Sequence, residues 1–230
     1  SMSYCDVACF VPSQSGNPSH ISLYRVKHTS FCSDTGTDWW SVSASSESIV
    51  TEGPVVSRSS MFNASEATIM WNSPANSVAL VQVSSDVDNS GSSYYGSTSA
   101  YILAASAPCG AKSNASSSTA IVEDIAIQIP QSKAGPIYSI AWSPSGLHFI
   151  LIGGSMPSNA TLYSMKGELL HEFGSSHRNT ISWSPHGRFF CIAGFGNLAG
   201  EVDFYEINVE NKNKIKRLGN VSAHCAGNIV

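Results

Sequence analysis

Three segments of the chain repeat one pattern: IMWNSPANSVALVQV from Ile69, IAWSPSGLHFILIGG from Ile140 and ISWSPHGRFFCIAGF from Ile181. Each opens apolar-x-Trp, passes through Ser-Pro, in two of the three as Ser-Pro-x-Gly, and ends in a run of apolar and β-branched residues. Proline cannot donate to a strand ladder and glycine accepts positive φ, so Ser-Pro-x-Gly marks the turn of a hairpin. Each segment therefore reads strand, tight turn, strand. Trp142 and Trp183 are 41 residues apart, the period of a four-stranded propeller blade. Trp71 and Trp142 are 71 apart, and the surplus of 30 falls in two loop-like stretches, DVDNSGSSYYGST from Asp86 and SAPCGAKSNASSST from Ser106.

The pattern predicts an all-β chain: a β-propeller fragment of WD-repeat type with about four four-stranded blades, partial at both ends. Residues 1–3 read as a tag remnant and start, and 4–230 as the propeller segment. Strands at 136–142, 147–152, 160–165 and 169–173 make one blade (136–173). Those at 179–183, 188–194, 201–207 and 214–221 make the next (178–221). A longer blade at 66–129 uses 67–71, 77–83, 99–105 and 120–129. Before it, 5–11, 20–26 and a strand near 54–62 supply a partial blade (4–62) that is expected to lack its innermost strand. AHCAGNIV at 223–230 reads as the start of a further blade. A propeller cut mid-blade exposes unpaired backbone, so the segment is expected to belong to a longer propeller. In isolation, 223–230 would close a four-bladed ring, or an open arc would self-associate through its blade edges.

Only 12% of residues are charged, about half the usual share, and Ser, Thr and Asn take their places, which favours strands and turns. The net charge of −4 gives no overall footprint for nucleic acid, so any RNA contact must be local. The six cysteines, at 5, 9, 32, 109, 191 and 225, form no C-x-x-C pair and read as mostly buried free thiols of a reducing compartment. No stretch reaches the roughly 18 apolar residues of a membrane span and no secretory signal opens the chain, so a soluble, cytoplasmic protein is expected. The sequons at Asn63, Asn114, Asn159 and Asn220 are then the product of composition.

Four stretches carry a resemblance: VACFVPSQSGNPSHISLYRV (7–26), SDVDNSGSSYYG (85–96), ATLYSM (160–165) and HRNTISWSPHGRFFCIAGFGNLAG (177–200). Together they resemble the eukaryotic translation initiation factor 2A family, in register from about residue 4 to 230. That family has an N-terminal propeller of nine blades followed by a Lys-rich C-terminal region, so the sequence corresponds to about the middle half of the propeller. The resemblance implies a non-enzymatic initiation factor that directs initiator methionyl-tRNA to the small ribosomal subunit or supports non-standard and stress-related initiation. It also implies small-subunit, initiator-tRNA, mRNA and initiation-factor partners, and no cofactor. The basic C-terminal region is absent here, and the Ser-rich segment 29–60 has no counterpart in the family pattern. A generic WD-repeat protein-interaction scaffold is the alternative that fold alone allows.

The candidate sites are few. CIAGFGNLAG (191–200) carries glycines at 194, 196 and 200, one residue longer than a dinucleotide fingerprint. EVDFYEI, which follows, alternates as a strand rather than opening a helix, so the glycines are expected to turn the chain. Asp86 to Gly91 matches the start of a calcium loop, but its twelfth position is Ser97 rather than Glu, which favours an Asx-rich hairpin loop. The seven histidines form no zinc spacing, and no G-x-S-x-G elbow supports hydrolysis. The basic cluster Lys212, Lys214, Lys216 and Arg217 reads either as a solvated strand edge guarded by lysines or as a contact with ribosomal RNA. Tyr94, Tyr95, Arg178 and Asn179, on loops, complete the candidate recognition face.

Overall fold

The computed structural model describes residues 2–14, 17–29, 55–61, 64–73, 78–85, 97–104, 122–123, 126–198, 200–208 and 214–222. Within them sixteen strands form four four-stranded sheets. The stretches 86–96, 106–119 and 223–230, most of 29–60, and Lys212, Tyr94 and Tyr95 lie outside the described residues.

Blade 3 shows the repeat most plainly. Strands β9 (Ile137–Trp142), β10 (His148–Gly153), β11 (Ser158–Ser164) and β12 (Leu169–Ser176) run antiparallel in that order. In blade 4, β13 (Thr180–Trp183), β14 (Phe189–Ala193), β15 (Glu201–Asn208) and β16 (Lys214–Ser222) repeat it. The Ser-Pro-x-Gly turns join the first two strands of each blade. Gly146 and Gly187 take φ of 68° and 69°, and their N–H groups close the turns onto Ser143 and Ser184 at 2.9 and 2.8 Å. These are the conformations for which glycine was expected.

The blades pack face to face, so their second strands are covered on both sides and read as unbroken apolar runs. In β10, Phe149 and Leu151 face blade 2, where they meet Val78, Leu80 and Ile102. Ile150 and Ile152 face blade 4, where they meet Phe190, Ile192 and Tyr205. Period-2 alternation assigns the two sets to opposite faces. Two tryptophans of the repeat, Trp142 and Trp183, belong to aromatic triads. Trp142 meets Phe149 edge-on at 5.1 Å and Phe149 stacks on Tyr163 at 5.3 Å; Trp183 tilts against Phe190 at 4.7 Å and Phe190 stacks on Tyr205 at 5.2 Å. Trp142 Nε1 also donates to Met70 O in the preceding blade at 3.1 Å.

Blades 1 and 2 depart from the expected plan. Blade 2 contains β4 (Glu66–Trp71), β5 (Val78–Ser85), β6 (Ser97–Ala104) and, as its fourth strand, only Ile127–Gln128 (β8). Val122–Glu123 (β7) crosses instead to the neighbouring sheet. There it pairs in parallel with β3 (Val55–Met61), completing the order β1 (Met2–Val11), β2 (Ser19–Thr29), β3, β7. Residues 120–129, expected as one strand, contribute Val122–Glu123 to one sheet and Ile127–Gln128 to the other.

Ile21 and Leu23 of β2 are buried against Ala79, Val81 and Leu103 of blade 2, as the two middle strands of blade 3 are buried between their neighbours, and β7 lies at the outer edge beyond β3. Ala8 and Phe10 of β1 pack on the same cluster, so the alternating Cys9 points away and is an exposed free thiol. Cys191 is buried and free, and burial pushes its thiol above the ordinary value despite a hydrogen bond with the Ser182 backbone.

Candidate nucleic-acid interface

The glycine loop joins β14 to β15 and is held by backbone bonds of its own. Gly194 N donates to Glu201 O at 3.0 Å and Gly200 N to Gly194 O at 2.9 Å. Gly196 and Gly200 take φ of 78° and 71°. Asn179, a candidate for recognition, spans the loop instead: its Nδ2 donates to Phe195 O at 3.0 Å and its Oδ1 accepts from Phe195 N at 3.1 Å. Thr180 Oγ1 also donates to that Oδ1 at 2.9 Å. Both ends of the Asn179 amide are therefore engaged by the protein.

The basic cluster is divided by strand geometry. In β16, Lys214 and Lys216 pair with Asn208 and Glu206, and Arg217 pairs with Tyr205. Alternation puts the lysines on the face turned away from blade 3 and Arg217 on the face turned toward it. Both lysines are exposed. Their face carries a carboxylate, Glu206, whose Oε1 accepts from Arg188 Nε at 2.8 Å and Nη2 at 2.6 Å.

Arg217 meets a different group. Its Nη2 donates to Asp203 Oδ1 at 2.5 Å, and Asn220 Nδ2 donates to the same oxygen at 2.8 Å. Arg178, on the β12–β13 connection, pairs through Nη2 with Asp203 Oδ2. Asp203 is 1% exposed and the Arg178 side chain 10%, whereas Arg217 is 58% exposed. Residues 217 and 220 would face opposite sides of a regular strand. A bulge resolves this: Phe204 pairs with Gly219 but Tyr205 with Arg217, leaving Leu218 as the extra residue. The alternation reverses there, and Arg217 and Asn220 both turn to Asp203.

Burial alone would raise the Asp203 carboxyl. The hydrogen bonds from Asn220 and Arg217, with the charges of Arg178 and Arg217, outweigh it and hold the group below the ordinary carboxylate value. A carboxyl depressed in the folded state stabilises fully above its unfolded value, about 3.9, and that contribution is lost as pH falls through the folded value. Urea midpoints of the wild type and Asp203→Asn between pH 6 and pH 2.5 should therefore differ most at pH 6 and converge in acid. A constant difference across that range would show that the carboxylate charge is not what the arginines stabilise.

The structure thus brings together Arg178 and Arg217 and separates both from Lys214 and Lys216. Two members of the cluster were missed by sequence reasoning, Asp203 and Asn220. A signal for the first existed: in EVDFYEI, Asp203 shares its alternation with Tyr205 and Ile207, an inward position that demands a partner for a carboxylate. Among the described residues no three His, Cys, Asp or Glu side chains gather as metal ligands, and no helix is long and apolar enough to cross a membrane.

Stacked four-stranded blades with self-satisfied loops and an outer strand carrying exposed lysines define a propeller-type module of WD-repeat kind. Residues 59–227 match the family described as Eukaryotic translation initiation factor eIF2A, and the chain belongs to that family. It is 38% identical over 165 residues to the Dictyostelium discoideum eukaryotic translation initiation factor 2A, covering 72% of this chain and 23% of that protein. To the Caenorhabditis elegans protein of the same name it is 30% identical over 207 residues, covering 90% and 29%. A solved structure described as "Crystal structure of the eukaryotic initiation factor" shares the fold, with a TM-score of 0.63 at 21% identity over 95% of this chain and 40% of that one. The chain spans about a quarter of the length of the curated relatives it matches.

Proposed function

We propose that this propeller segment is a non-enzymatic scaffold within a cytoplasmic translation initiation factor, and that β16 faces RNA of the small ribosomal subunit. In the whole protein that scaffold supports delivery of initiator methionyl-tRNA to the subunit, together with mRNA or other initiation factors. Membership of the initiation-factor family supports the role. The observation that carries the site is the position of Lys214 and Lys216 on the outermost strand of blade 4. An outer strand can lie along a polyanion, and each phosphate neutralised releases counterions.

Replacing Lys214 and Lys216 by Glu in the full-length protein is expected to weaken cosedimentation with small subunits. The slope of log affinity against log salt should fall by about 1.4 for single-stranded RNA. Unchanged cosedimentation at low salt would mean that the lysines only guard a strand edge.

A further inference from the structure

We propose that Arg217 is a phosphate-binding group aimed by the buried Asp203, and that this pairing, more than the lysines, gives β16 its grip on a phosphodiester backbone. The inference rests on the reading of β16 as an RNA-facing strand and names the residue that would dominate it.

The geometry has three parts. First, Asp203 is immobilised: it is 1% exposed, with Arg178 at Oδ2 and Asn220 Nδ2 at 2.8 Å from Oδ1. Its hold on Arg217 Nη2 therefore anchors one end of the guanidinium at a fixed point. Second, that bond uses one of the five N–H groups of a planar fork, and the side chain remains 58% exposed. The remaining donors are presented in the arrangement that suits bidentate phosphate binding.

Third, the local charges balance, two guanidiniums against Asp203 and Glu201, so the preference for phosphate rests on oriented donors and not on net charge. Two guanidiniums share one carboxylate, and the further carboxylate whose field reaches Arg217 is Glu201, at the start of β15. Glu206, on the opposite face, is taken by Arg188. Lys214 and Lys216 are flexible point charges that must be ordered on binding, whereas Arg217 is already ordered, which lowers the entropic cost of the contact.

The experiment measures binding of a fluorescently labelled single-stranded RNA oligonucleotide by full-length protein, by anisotropy between 50 and 200 mM KCl. Arg217→Lys keeps the charge and loses the fork. It is expected to weaken binding by about tenfold with an unchanged salt slope. Asp203→Asn removes a negative charge, so simple electrostatics requires tighter binding; loss of the aimed guanidinium requires weaker binding, by about fivefold. Circular dichroism and thermal melts establish that each variant is folded, and if Asp203→Asn is not, Arg217→Lys alone decides.

Wild-type affinity in Arg217→Lys, or tighter binding by folded Asp203→Asn, would overturn the proposal. The Lys214→Glu, Lys216→Glu double variant separates the two claims. If it weakens binding while Arg217→Lys does not, only the role of Arg217 fails. If neither it nor Arg217→Lys changes binding, or the wild type binds no RNA, the RNA-facing reading of β16 fails with it.

Discussion

Phe190→Ala is expected to destabilise the protein by about 3–5 kcal/mol, the range for removing a fully packed aromatic ring. Phe190 is 2% exposed at the junction of blades 3 and 4. It stacks on Tyr205 at 5.2 Å, meets Phe173 edge-on at 5.6 Å and lies tilted against Trp183 at 4.7 Å. Each such pair adds about 0.5–1.5 kcal/mol beyond burial, and alanine can make none of them. The neighbouring residue is the control. Phe189 is 43% exposed, with Arg188 over its ring at 5.2 Å, so Phe189→Ala should cost about 1 kcal/mol or less. Urea unfolding of both variants checks the pair. Equal losses would mean that blades 3 and 4 do not pack through this cluster.

The second large effect is expected from Gly194→Ala. A Cβ built there would lie 2.0 Å from His177 O and 3.1 Å from its carbonyl carbon. Backbone cannot swing aside as a long side chain does, so the clash moves the β12–β13 connection. His177 is followed directly by Arg178, whose guanidinium holds Asp203, and the displacement is carried into the ion cluster. A loss of about 3 kcal/mol or more is expected. Gly196 separates close approach from backbone conformation. Its φ is 78° with nothing within 4 Å of the added Cβ, so Gly196→Ala should cost only about 1 kcal/mol. Thermal melts that rank the two the other way round would place the loop's requirement at Gly196 rather than Gly194.

Features set by local chemistry were legible in the sequence. Ser-Pro-x-Gly announced turns that Gly146 and Gly187 make, and the 41-residue spacing of Trp142 and Trp183 announced repeated blades. The glycines of 194–200 do turn the chain between two strands. What periodicity could not convey is where a strand goes once formed. Val122–Glu123 falls where the repeat places a blade-2 strand, yet its partner is β3, more than sixty residues earlier.

The ion cluster was hidden for a related reason. Arg178, Asp203, Arg217 and Asn220 lie far apart along the chain, and a one-residue bulge at Leu218 decides which of them meet. Proximity in NKNKIKRLG grouped Arg217 with the lysines, although alternation already assigns odd and even positions of a strand to opposite faces. The seam between blades, not the run of charge, determines their company.

The crossing of β7 bears on how such a chain is made. Among the described residues, the outer edge of β3 finds no partner in its own sheet between Met61 and the synthesis of Val122. At about 5–20 residues per second, the intervening sixty residues take about 3–12 s. Throughout that interval a nascent chain carries an open strand edge, a template for wrong pairing. The same stretch of chain that ends the exposure goes on within a few residues to form β8 of blade 2. One short stretch, residues 122–128, thus completes the sheets of both blades, so a deletion there would open the edges of two blades at once.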